Sequence, residues 1–378
     1  MKKLLVTALL AALGASFAQA QPVDVYLVGA TAFRANTFRS LTNLYGANLS
    51  SMNPNPSTPS LNRYTLRGTI PSLFGTRTVT VFASFSGSVE GIQSLDQNLT
   101  TNQFLPAVSG TTLFTHLADL AFSDAAQSST IYQSTVLEPA GGGSAAAVGV
   151  VPFVWVKSAG TPSGVINIGR AQARTFMQNG KDTLSGFTGN TADATKNILL
   201  VGRNVGSGSR LIAELCNDVI PGSHRQYNTN GVSCTWSLFG GFSSGSGVVT
   251  ALTTTCGQNT NVIGYMALPD AQSAVTAGAS IVMQHGEFPF DGTFVSTLNA
   301  SITTNTAYFN PTITGLYDWW SYEQLYYDSE IPPSDDRVTL RNALATGINA
   351  DLATSSTAIP LGSMRALRAN DGSEIVPF

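Results

Sequence analysis

Asn197-Ile198-Leu199-Leu200-Val201 leads through Gly202-Arg203-Asn204-Val205-Gly206-Ser207-Gly208-Ser209-Arg210 into Leu211-Ile212-Ala213-Glu214-Leu215. The apolar run predicts a buried strand, the glycines and serines end it, and the apolar spacing from Leu211 to Val219 predicts a helix. A strand that turns on small residues into a helix is the repeating unit of an α/β protein. The same grammar occurs upstream. Val23 to Val28 is followed by Gly29-Ala30-Thr31-Ala32-Phe33 and a helical pattern carrying Phe38, Leu41 and Leu44, and Thr78 to Phe85 runs into Gly87-Ser88-Val89-Glu90-Gly91-Ile92.

Leu117 to Phe122 predicts a strand ending at Ser123-Asp124, and Val148 to Val156 is an uninterrupted apolar run that predicts a fully buried one. Residues 169 to 180 read as a helix and Asn261 to Leu268 as a further strand. Residues 46 to 62, with Met52-Asn53-Pro54-Asn55-Pro56, predict a surface loop. The aromatic cluster Tyr317, Trp319, Trp320, Tyr322, Tyr326 and Tyr327 reads as core packing in preference to a sugar platform. Strands alternating with helices imply an α/β fold with mainly parallel sheets, and no internal repeat is present.

Met1-Lys2-Lys3, the apolar run Leu4 to Ala12 and the ending Ala18-Gln19-Ala20 predict a Sec signal peptide over residues 1–20, cut before Gln21. The cut carries no cysteine, so no lipid anchor is expected, and no later stretch reaches the roughly 20 apolar residues of a membrane span. The expected location is periplasmic or secreted. Without Lys2 and Lys3 the 19 basic residues fall to 17 against 22 acidic ones, a net charge near −5 that argues against nucleic acid. The 358 residues that remain suit two lobes better than one core. In an oxidising compartment Cys216, Cys234 and Cys256 allow one disulfide, and Cys234 with Cys256 is favoured because the two flank a Gly/Ser-rich segment. His116, His224 and His285 are scattered and make no metal pattern, so neither metal nor cofactor is expected.

The chemistry lies in the strand-to-helix turns. A helix start presents unpaired N–H groups and a partial positive charge, glycine lets backbone approach a ligand, and Ser or Thr adds a short donor. Three such starts converging would chelate a compact tetrahedral anion. Arg203 is the one side chain in these loops able to neutralise charge and bind two oxygens at once. Asp124 would repel an anion, unless that anion carries a proton: hydrogenphosphate donates to a carboxylate and sulfate does not, so one acid rejects the competitor. At about 1.5–3 kcal/mol per charge-assisted hydrogen bond, five or six such bonds reach the roughly −8 kcal/mol of micromolar binding. Taken singly, each loop reads as a helix cap, Arg203 as a surface ion-pair partner and Asp124 as a turn residue. The case rests on their coincidence.

These loops resemble those of the phosphate-binding periplasmic component of the phosphate ABC transporter, within the type 2 periplasmic-binding-protein superfamily. Arg203-Asn204-Val205-Gly206-Ser207-Gly208-Ser209 matches the family's arginine, three-residue gap and Ser-Gly-Thr form, with Ser209 in place of threonine. Gly29 to Phe33, residues 87 to 92, Ser123-Asp124 and Ile263-Gly264-Tyr265 support it over residues 22 to 270, and Gly315 to Glu323 resembles a weaker C-terminal pattern. Val205 departs from the acidic residue the family often has there, and the stretches 46–77 and 216–256 look enlarged. The resemblance implies a two-lobed fold, each lobe a mainly parallel sheet flanked by helices, with the ligand cleft between lobes. Lobe I would be discontinuous, 21–150 plus 265–378, and lobe II would span 151–264, with crossing strands near 148–156 and 261–268. It implies ligand contacts from Thr31, the Ala32 and Phe33 amides, Ser88, Asp124 as acceptor of the ligand proton, Arg203 as counter-charge, and Ser207, Gly208 and Ser209 as a donor nest. The expected function is phosphate capture by a monomer for an ABC permease, without catalysis. Another oxyanion or small organic phosphate is the nearest alternative, then a secreted structural or adhesive protein. A hydrolase is disfavoured because the histidines do not cluster.

Overall fold

Val23, Val25, Leu27 and Val28 are buried in β1 (Val23–Gly29) of the computed structural model, which describes residues 21–58, 61–140, 147–229, 232–292 and 305–378. The leader at 1–20 lies outside the described residues. β1 runs parallel to β4 (Thr78–Phe85), with Val25 opposite Val81, and to β5 (Leu120–Ser123), with Leu27 opposite Leu120. Beyond β4 the sheet continues antiparallel with β3 (Arg63–Thr69) and β2 (Leu49–Asn53). On the far side of β5 lies β11 (Trp320–Asp328), with Leu325 opposite Phe122.

The continuous apolar run forms β6 (Ala147–Lys157), which is buried along all but its first residue. Fully burying each of its valines contributes about 1.5–3 kcal/mol. Its first part pairs with β11, Val151 opposite Ser321, and its second part pairs with β9 (Val262–Ala267) and β10 (Ser280–Gln284), with Val154 opposite Met266 and Val156 opposite Ile281. β9 runs parallel to β8 (Asn197–Val201), which is edged by antiparallel β7 (Lys181–Thr183). The order is β7-β8-β9-β6-β11-β5-β1-β4-β3-β2, so β6 belongs to both halves. Each half has a parallel centre, β4-β1-β5 in one and β8-β9 in the other, with antiparallel strands added around it.

Seven helices carry the rest of the argument: α1 (Arg34–Tyr45), α2 (Ser88–Asp96), α3 (Arg170–Asn179), α4 (Gly208–Cys216), α5 (Gly245–Thr253), α6 (Leu268–Thr276) and α7 (Asp336–Asp351). No helix among the described residues is long and apolar enough to cross a membrane. Cys234 and Cys256 form the disulfide, and Cys216 is a buried free thiol.

Three expectations need correction. Residues 46–62 are not all loop, because Leu49–Asn53 pairs with β3 as an edge strand. The helix after Arg203 begins at Gly208 instead of Leu211 and ends at Cys216. Ser207 supplies the extended backbone just before it, so the glycine and serine lie in the helix's first turn. The strand before Asp124 starts at Leu120, since Leu117 is solvent-exposed.

Candidate functional site

The opening loop owes its course to Gly29, whose φ is +114°. A Cβ at Gly29 would sit 2.0 Å from the Phe122 carbonyl oxygen, and the Ala30 amide donates to that same oxygen at 2.8 Å. Only glycine tolerates both the dihedral and the approach. The chain then passes through Thr31, Ala32 and Phe33, all buried, into α1. α2 lies against the same strand end: a Cβ on Gly91 would come within 2.8 Å of the Gly29 Cα. That contact sets Ser88, the first residue of α2, beside Asp124.

Asp124 is the meeting point of the two halves. It follows β5 and is 2% exposed. Its Oδ1 accepts from Ser88 Oγ at 2.5 Å and its Oδ2 from Ser209 Oγ at 3.3 Å. The Ser321 hydroxyl on β11 donates to its backbone carbonyl at 2.5 Å. The start of α4 lies directly against it, since a Cβ on Gly208 would fall 1.7 Å from Asp124 Oδ1. The Ser207 hydroxyl is buried there without a protein partner.

Arg203 is buried at the end of β8. Its Nη1 donates to Thr31 Oγ1 at 3.3 Å, its Nε to the Phe242 carbonyl at 3.2 Å and its Nη2 to the Ser243 carbonyl at 3.0 Å. All nine candidate residues are buried: Thr31 meets Arg203, Ser88, Gly208 and Ser209 each touch Asp124, and the Arg203 charge acts on Asp124. Ser207, Ala32 and Phe33 lie in the same loops.

Four participants were not singled out as site residues in the sequence. Arg34, one residue past the opening loop, donates to the Thr31 carbonyl at 3.2 Å and pairs with Asp270 on α6 at 3.2 Å, so the site holds a second guanidinium. Tyr265 on β9 accepts the Arg203 amide at 3.0 Å, and the backbone of Gly202 packs against its ring. Glu323 on β11 is wholly buried, and neither carboxyl oxygen has a protein partner. The pairing of Gln324 with Ser123 puts Glu323 one rung on, opposite Asp124. A glutamate within the aromatic run Trp320 to Tyr327 was the available signal. Arg34 and Asp270, 236 positions apart, gave none.

Burial sets the electrostatics. It pushes the Asp124 carboxyl up to about 6, against the opposing pull of the Ser88 hydrogen bond, the Arg203 charge and the Ser209 hydrogen bond. Burial weakens the hold of Arg203 on its proton, while Asp270 and Asp124 strengthen it. Burial, with the Asp124 charge adding to it, holds Glu323 well above the usual carboxylate range. The centre therefore combines hydroxyl and amide donors, guanidinium charge and a carboxyl poised between its two forms. Such a set can bind a small oxyanion and respond to a proton on it.

No protein-family model and no curated protein matches the sequence. Among solved structures, a Clostridium perfringens protein assigned as a phosphate ABC transporter substrate-binding protein, with phosphate bound, aligns over 89% of this chain and 99% of its own, with a TM-score of 0.53 and 13% identity. The chain has the type 2 periplasmic-binding-protein fold. PstS from Borrelia burgdorferi aligns over 89% of this chain and 98% of its own at 14% identity and a TM-score of 0.40. A C206 mutant of OxyR from Corynebacterium glutamicum aligns over 93% and 73% at 10% identity and a TM-score of 0.42. At these identities the likeness is one of fold. The residues around Asp124 come from both halves of the sheet: Thr31, Ser88 and Asp124 from the half built on β1, and Arg203 to Ser209 from the half built on β8.

Proposed function

We propose that this chain is an exported solute-binding protein that captures hydrogenphosphate between its lobes for uptake by an ABC-type permease. The observation that carries this reading is the contact of Asp124 with the hydroxyls of Ser88 and Ser209, one from each half. A ligand entering there meets the starts of α1, α2 and α4 and the Arg203 guanidinium. The Thr31, Ser88, Ser207 and Ser209 hydroxyls and the Ala32, Phe33 and Gly208 amides supply donors to its oxygens, while ionised Asp124 accepts its one proton. Sulfate brings no proton and faces only repulsion. The phosphate bound by the Clostridium perfringens protein, which shares this fold, supports the assignment.

In this reading lobe I comprises residues 21–150 with the chain after 265, lobe II comprises 151–264, and the monomer works outside the inner membrane after loss of residues 1–20. No chemistry on the ligand is involved. The test is titration calorimetry of the mature protein, stripped of bound anion, against phosphate, arsenate, sulfate and molybdate. Phosphate in the micromolar range with far weaker sulfate is expected, and equal affinity near neutral pH would refute the role of Asp124. Arg203→Ala should lose roughly 2–5 kcal/mol of phosphate binding while its circular dichroism stays unchanged. Retained affinity in that variant would remove the site.

A further inference from the structure

Behind Arg203 lies a buried chain of side chains that reaches the candidate site through the Arg203 backbone. The Tyr265 hydroxyl accepts the Arg203 N–H at 3.0 Å, lies 3.3 Å from the Arg203 carbonyl oxygen, and is 3.1 Å from His224 Nε2. His224 Nδ1 is 2.7 Å from Glu214 Oε1, an oxygen that also accepts from Arg210 Nε at 3.0 Å. The other Glu214 oxygen accepts the Gly222 amide at 3.0 Å. His224, Tyr265, Glu214 and Arg210 are all buried. The charged and titratable groups facing His224 are Glu214 and Arg210 from α4 and Tyr265 from β9, with Arg203 beyond the tyrosine.

The proton count along this chain is constrained. Glu214 accepts from every neighbour, so His224 carries a proton on Nδ1, and Nε2 is a lone pair in the neutral ring and a donor in the charged one. A phenol has one proton to give. With a neutral ring, that proton is contested between His224 Nε2 and the Arg203 carbonyl. With a charged ring, Nε2–H donates to the phenol oxygen, and the phenol proton is committed to the carbonyl. One hydroxyl then holds both the N–H and the C=O of Arg203.

We propose that His224 is a positioning residue: through Tyr265 its protonation tightens the backbone grip on Arg203, so that proton uptake at His224 and anion binding at Arg203 promote one another. The proposal rests on the anion-binding role of Arg203 given above. The added positive charge acts in the same direction, and the coupling is reciprocal. Its pH sense follows: the extra affinity is present while His224 is charged and is lost as rising pH removes that proton.

Two measurements test it on wild type, His224→Gln and Tyr265→Phe. His224→Gln keeps a donor and an acceptor but cannot titrate, and Tyr265→Phe keeps the ring that packs edge-on against Trp155. In the anion-free protein, the Arg203 amide resonance should follow the His224 imidazole across a pH titration in wild type and not in either variant. An amide that behaves alike in all three overturns the relay. In calorimetry with phosphate, run in two buffers of different ionisation heat, wild type should take up more protons on binding than either variant. On the acid side its affinity should exceed that of His224→Gln by about fivefold or more. Equal proton uptake in all three also overturns it. A protein that binds no anion while its Arg203 amide still tracks His224 would sink the proposed function and leave the relay standing.

Discussion

Asp124 titrates at about 6 because it is dry, and only its ionised form can accept a proton from a ligand. Preference for phosphate over sulfate should therefore be widest above pH 6 and narrow as pH falls through it, since a protonated Asp124 can donate to sulfate. Competition binding across that range checks this, and a flat ratio would refute it. Asp124→Asn should lose about 1.5–3 kcal/mol of discrimination, losing more of it than of phosphate affinity, and should abolish the pH dependence. The stability of the anion-free protein runs the opposite way: a raised carboxyl favours folding below its unfolded value, and that contribution is lost as pH rises through about 6. Glu323 extends the argument. Its buried carboxyl has no partner and is held well above the usual range, so its stabilising contribution is lost only at higher pH. Glu323→Gln should flatten the fall in melting temperature between mildly acid and alkaline solution, and an unchanged fall would mean that Glu323 does not hold a proton when folded.

The start of α4 is the element with the least tolerance. A methyl group on Gly208 would overlap Asp124 Oδ1 and come within 2.7 Å of the Ser88 Cβ, so Gly208→Ala should separate the two halves of the site and lose phosphate binding more than tenfold. The paired melting curve should fall only modestly, because the clash lies between halves and not within either core; intact binding would show that the halves do not meet as described. Such starts were legible in the sequence because small residues and hydroxyls punctuate apolar runs at Gly29, Gly87 and Gly206 to Ser209. β1, β4, β6 and β8 were legible as apolar runs for the same reason. β3 (Arg-Tyr-Thr-Leu-Arg-Gly-Thr) was not, since two arginines and a glycine interrupt its few apolar residues and leave no clear alternation. β11 hid its role behind its aromatics, which suggested packing without saying that they lie on a strand beside Asp124. Arg34 with Asp270 depends on two distant segments meeting, which no local pattern encodes.

For the whole molecule, the decisive feature is that β6 changes partners within one step: Pro152 faces Trp320 on β11, and Phe153 faces Ala267 on β9. Closure over a ligand must therefore twist the sheet around this point, a stiffer hinge than a flexible linker. Phosphate should lower the radius of gyration seen by small-angle scattering, and Arg203→Ala should remove that change. Identical curves with and without phosphate would mean that no closure occurs. The shared strand also constrains ancestry and engineering. A recombination junction at Pro152–Phe153 would hand each daughter polypeptide a raw sheet edge inviting aggregation. Grafting one lobe onto a foreign partner therefore has to carry all eleven residues of β6 with it.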